Sequence, residues 1–174
     1  MTKDELKKLS ELNLDFARQQ LQKYGSLLPL LLVHSQGGEL HAYAMDTPGV
    51  HTRDVVKHVL QSFKGKALAY SILAEAWHVE IKDAPKGLTP EEVQKYANEE
   101  RRKMPDDLGQ VPNREECIMV TTCSYDHTVI LTQLFKRSSG GFWFNPEIVT
   151  QETGGEHAPM GSFHDMRRLL TRPQ

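Results

Sequence analysis

The stretch Ala67-Leu-Ala-Tyr-Ser-Ile-Leu-Ala-Glu-Ala-Trp-His-Val-Glu-Ile81 decides how the chain is read, because it runs fifteen residues without glycine or proline between Gly65 and Pro85. Apolar, aromatic and β-branched residues dominate it, and it is far longer than the five or six residues of a typical strand. It reads as one long β-strand able to carry neighbours on both edges. The half from Ala67 to Ala74 is plain sheet core. The half from Glu75 to Ile81 holds a carboxylate between Ala74 and Ala76, next to Trp77 and His78. A carboxylate in a central strand is costly unless it is paired or hydrogen-bonded.

On the N-terminal side, Thr2 and Glu5 have capping-box spacing, and Leu6, Leu9, Leu12, Phe16, Leu21 and Tyr24 recur at helical intervals before Gly25. This predicts a first helix over 3–24. Leu27–His34 and Glu39–Asp46 flank Gln36-Gly37-Gly38, which predicts a hairpin. With Gly37-Gly38 as a two-residue turn, His34 faces His41. Both faces of that ribbon carry apolar residues, so cover on both sides, at least in part, is expected. Thr52 is a candidate cap for a second helix near 53–63, with Val55, Val56, Val59, Leu60 and Phe63 as its apolar stripe.

On the C-terminal side, residues 82–113 turn polar and charged. Thr89-Pro90-Glu91-Glu92 nevertheless starts a helix that ends before Pro105, read as an excursion on the surface rather than a second domain. Cys117–Thr122 and Val129–Arg137 form a second hairpin, and Phe142–Phe144 adds a short strand. Residues 151–174 have little periodicity and read as a loosely attached or disordered tail. The expected architecture is one α+β domain over 1–150. A single antiparallel sheet of five to six strands carries packed helices, in the order α-β-β-α-β-[α]-β-β. The order is profilin-like or roadblock-like by fold analogy only, which licenses no function.

The totals exclude several classes. A chain of 174 residues buries about 70% of its unfolded surface and needs no staples. A net charge of −2 gives no general attraction to nucleic acid or anionic membrane. The first residues are charged with no apolar core behind them, and no run approaches the roughly eighteen apolar residues of a membrane span, so a cytoplasmic protein is expected. Two cysteines, Cys117 and Cys123, make neither a disulfide framework nor a four-cysteine zinc site.

Candidate chemistry rests on few residues. A cross-strand His34/His41 pair offers two imidazoles to a metal, with Asp46, His51 or Glu75 as a third ligand if the fold delivers it, but no His-Glu-x-x-His, His-x-His or Cys-x-x-Cys spacing accompanies it. Glu75 is a candidate general acid or base, set against the plainer reading of an inward carboxylate satisfied by a cation. A Cys/His nucleophile lacks an orienting third group, and the short basic clusters lie where helix C-termini favour cations. No cofactor is implied.

Glu75-Ala76-Trp77, followed after a polar stretch by Pro112-Asn-Arg114-Glu-Glu116, resembles a scattered set of short bacterial and phage-type proteins with no assigned activity. The resemblance covers about residues 67–137. It implies that Glu75, Trp77, Arg114 and Glu116 act as a unit with His78 beside them, Arg114 being the expected partner of Glu75. The leading expectation is a non-enzymatic protein-interaction or accessory module of a bacterial or phage system, self-associating as a homodimer. The alternative is a small metal-dependent hydrolase using His34, His41 and Glu75.

Overall fold

The computed structural model describes residues 1–46, 51–79, 85, 87–105, 110–112, 114–154 and 164–171. Three helices, α1 (Lys3–Tyr24), α2 (Thr52–Ser62) and α3 (Pro90–Lys103), accompany seven strands: β1 (Leu30–Ser35), β2 (Leu40–Ala44), β3 (Ala67–His78), β4 (Glu115–Ser124), β5 (His127–Ser138), β6 (Gly141–Phe144) and β7 (Val149–Gly154). All strand pairings are antiparallel, in the order β2-β1-β3-β4-β5-β6, with β7 also on β5. The α+β class and single antiparallel sheet are as expected. The sheet gains a seventh strand because Val149–Gly154, expected from Gln151 onward to belong to the tail, pairs with the first half of β5.

The long strand is central, with β1 on one edge and β4 on the other. It stops at His78, while Glu80 and Ile81 lie outside the described residues. The alternation of β3 divides the core. Ala69 and Leu73 join Leu6, Leu14, Ala17 and Leu21 of α1, whereas Tyr70 and Ile72 join Val56, Val59 and Leu60 of α2. The stretch expected to be a loose tail carries structure in its described parts. Residues 151–154 are sheet, Met166 and Leu170 around a 3-10 turn (His164–Leu169) are buried with the α2 core, and Thr171 N–H donates to Ala67 C=O at 2.7 Å.

Helix starts follow local chemistry. Thr2/Glu5 and Thr89/Glu92 both close capping boxes, and Gly25 ends α1 at φ 76°. Thr52 differs from expectation: it is the first helical residue of α2, and His51 at the cap position makes no side-chain capping bond. The α1 stripe also differs. Leu6, Ser10, Asn13, Leu14, Ala17 and Leu21 face the sheet, and Leu12, Phe16 and Tyr24 point away from it.

That rotation serves a buried polar seam. Asn13 Nδ2 donates to Ser71 Oγ at 2.8 Å, and Ser71 Oγ donates on to Thr122 Oγ1 at 3.0 Å, tying α1 to β3 and β4. One turn on, Arg18 Nε donates to Gln133 Oε1 at 2.5 Å and Gln133 Nε2 to Asn145 C=O at 2.6 Å. Buried polar groups must be paired, so the seam fixes which face of α1 lies down.

Candidate functional site

Glu75, Trp77 and Glu116 come together on the α1 face of the sheet, since Trp77 pairs with Glu116 and Glu75 with Ile118. His78 lies on the opposite face, paired with Glu115. The pairing of β4 with β5 ends at Cys117 and Leu134 although both strands continue. Past that point β4 is held by β3 only and β5 by β6 only. A cleft of about 440 Å³ opens there, lined by Trp77, Arg114, Glu115, Glu116, Phe135, Lys136 and Arg137.

Arg137 bridges the gap between the parting strands. Its Nε donates to Glu116 Oε1 at 2.9 Å, its Nη1 to Gly25 C=O at 2.6 Å and its Nη2 to Glu75 Oε2. Its guanidinium also lies 5.3 Å from the Phe135 ring and 5.2 Å from the Phe142 ring, within cation–π reach. The hydrogen bond it donates to Glu116, with the Glu75 charge adding, holds its pKa above the ordinary arginine value. The other Glu75 oxygen accepts the Leu27 N–H at 2.5 Å. Both oxygens of Glu75 are thus engaged, and neither is aimed at the cleft as a general base requires.

The expected Arg114–Glu75 pair is replaced by Arg137–Glu75, and register explains why. Glu116 sits opposite Trp77, so Arg114 falls one further step along the same face, with the indole between it and Glu75. Its guanidinium stacks 4.7 Å over the Trp77 ring, and Nη1 donates to Val111 C=O at 3.3 Å. Arg137 was missed because at the end of an edge-side strand it reads as a solvated cation. Its run Phe135-Lys-Arg137, two strands away from Glu75-Ala-Trp77 with β4 between, is a signal only once strand order is known.

His34 and His41 are not brought together. The turn is three residues, with Ser35 N–H bonded to Glu39 C=O at 3.0 Å and Gly38 N–H to Ser35 C=O at 3.1 Å. Val33 therefore pairs with His41 and His34 with Leu40. A shift of one residue sends the two imidazoles to opposite faces. His41 packs edge-on to Phe63 at 5.0 Å, while His34 is half-buried with Nε2 lacking a partner, and burial lowers its pKa. Glu75 lies six residues along β3 from the His34 partner Ala69, about 20 Å away. Among the described residues no group of three or more metal-ligating side chains occurs. Cys117 is buried, its pKa is pushed up to about 11, and its Sγ–H donates to Ala76 C=O at 3.4 Å, which suits a core thiol rather than a nucleophile.

A second feature follows from the rotation of α1. The helix packs over β3, β4 and β5, and its Lys3 and Lys7 reach Glu152 on β7. It leaves β2 on the same face open, while Leu32 of β1 is buried in the α1 core and Leu30 packs against it, so the hairpin is covered on both sides in part, along β1. Leu40, Ala42 and Ala44 of β2 are exposed there, and Leu40, Leu28, Leu12 and Phe16 stand 56%, 59%, 67% and 38% exposed. Leu9, Leu12 and Phe16 follow one line along α1, at helical spacing, on the side away from Arg18. Together these residues make an apolar ledge at one end of the molecule.

No family model, curated protein or solved structure matches the chain.

Proposed function

We propose that the chain is a non-enzymatic protein-interaction module that works by self-association, its contact surface being the apolar ledge of β1, β2 and the outer flank of α1. The observation that carries this reading is the open half-face. Leu12, Phe16, Leu28 and Leu40 together expose roughly 400 Å², within the roughly 300–600 Å² of the largest apolar patch on a typical monomer, which is often a functional one. That is about half of the 800 Å² per partner that a standard stable interface buries. Further support comes from the commitment of the candidate chemical groups to structural bonds. Glu75 is held by Arg137 and Leu27, and Cys117 is a buried thiol. The hydrolase reading has no comparable support, since His34, His41 and Glu75 lie apart.

No helix among the described residues is long and apolar enough to cross a membrane. The proposal takes the chain to act in the cytoplasm, where buried thiols that form no disulfide, as Cys117 and Cys123 are, stay reduced. Light scattering on the purified protein tests the reading. The mass should be twice the 19.8 kDa of one chain, and Leu40→Glu should shift it to the monomer with an unchanged circular dichroism spectrum. A wild-type monomer with no co-purifying protein would overturn it.

A further inference from the structure

The free edge of β2 specifies how two copies meet. Hydrogen-bonded pairs alternate along an antiparallel ladder. Ser35 N–H bonds Glu39 C=O at one end of the β1–β2 ribbon and Met45 N–H bonds Pro29 C=O at the other, both at odd positions of β2. His41 and Tyr43 therefore turn their backbone groups toward β1. Leu40, Ala42 and Ala44 turn theirs outward, and no described strand pairs with that edge.

The edge is short but otherwise unblocked along its five residues. There is no proline, lysine or bulge between Leu40 and Ala44, and the three outward residues bear small or aliphatic side chains. The opposite side of the sheet differs: its outer positions are shared by the short β6 and by β7, where Lys3 and Lys7 pair with Glu152.

We propose that β2 pairs antiparallel with β2 of a second copy across a two-fold axis through Ala42, joining two seven-stranded sheets into one. The inference rests on the self-association reading above and names its contact. Centring on Ala42 sets Ala42 against Ala42 of the second copy and Leu40 against Ala44, so all three outward residues of each copy bond. Centring on His41 sets Ala44 against Gly38, and centring on Tyr43 sets Leu40 against Asp46. Each of those registers leaves one outward residue without a strand partner. The Ala42 register also matches a large side chain with a small one on the ledge face, and His41 with Tyr43 on the other.

Cysteine cross-linking tests the register on the full chain. In the Ala42→Cys protein the two Cα atoms lie about 5.5 Å apart, within disulfide reach, whereas Tyr43→Cys is displaced from its symmetry mate along the strand. Both native cysteines are buried. Mild oxidation should trap the Ala42→Cys dimer and leave Tyr43→Cys uncrosslinked. Ala42→Lys, at an exposed position, should weaken dimerisation by at least about tenfold in Kd with an unchanged melting curve. A wild-type dimer that neither traps through Ala42→Cys nor weakens in Ala42→Lys overturns the edge pairing and leaves self-association standing. A wild-type monomer throughout the micromolar range overturns both.

Discussion

Arg137 does with one side chain what backbone pairing does elsewhere in the sheet, joining β5 to β4, to β3 and to the turn after α1 through Glu116, Glu75 and Gly25. Its partners are a quarter or more exposed, so solvent screening keeps the ion pairs modest. Arg137→Ala should nevertheless cost about 1–2 kcal/mol in denaturant unfolding, because three bonds go and Glu75 is left facing Glu116. Arg137→Lys should recover only part of that, since one ammonium cannot serve three acceptors in a fork. Equal stability of the alanine variant and wild type would contradict this role. His34 supplies a pH dependence. Burial holds its folded-state pKa below the ordinary value of about 6.5, so the unfolded chain takes up the proton first. The sign follows: this contribution is fully present above about pH 6.5 and is lost as pH falls from there toward the lowered folded-state pKa. Thermal melts between pH 7 and 5 should fall less steeply for His34→Leu than for wild type. Parallel curves would contradict it.

At the scale of elements, much was readable and two decisive details were not. The long strand, both capping boxes, the Gly25 helix stop and the two hairpins stand in the residues themselves, because each depends on neighbours in sequence. Turn length escaped, since Gln36-Gly37-Gly38 fits a two-residue or a three-residue loop equally well, and only cross-strand packing selects between them. The selected loop puts Gly38 at φ 76° and Gly37 in an ordinary conformation. Gly38→Ala should therefore cost about 1 kcal/mol, while Gly37→Ala should be neutral or slightly stabilising. Unfolding curves that rank them the other way would restore the two-residue turn and with it a His34/His41 pair. The rotation of α1 escaped for a related reason. Counting large apolar residues favours Leu9, Leu12 and Phe16 as the inner stripe, but Asn13 lies inward because Ser71 and Thr122 await a partner beneath the helix, and Ser10 is buried with its hydroxyl donating to Leu6 C=O. A polar residue at a helical core position, facing Ser and Thr in strands, was the available signal.

For the whole molecule, these local details combine into one asymmetry. α1 lies over β3 to β5, the polar seam holds it there, and β2 stays open on that face with an edge on which no described strand pairs. The cluster around Glu75 was legible as an anomaly, yet its explanation needed strand order, which no local pattern carries. The open ledge was hidden because Leu12 and Phe16 read as part of the inner stripe of α1 until the packing of the helix was known. Self-association through β2 is tested most directly by amide hydrogen exchange at Leu40, Ala42 and Ala44, followed from dilute to concentrated protein. Their N–H groups should exchange quickly in the dilute monomer and become protected as concentration rises, while His41 and Tyr43, bonded to β1, are protected throughout. Exchange at the three outward positions that stays fast and independent of concentration would contradict the account.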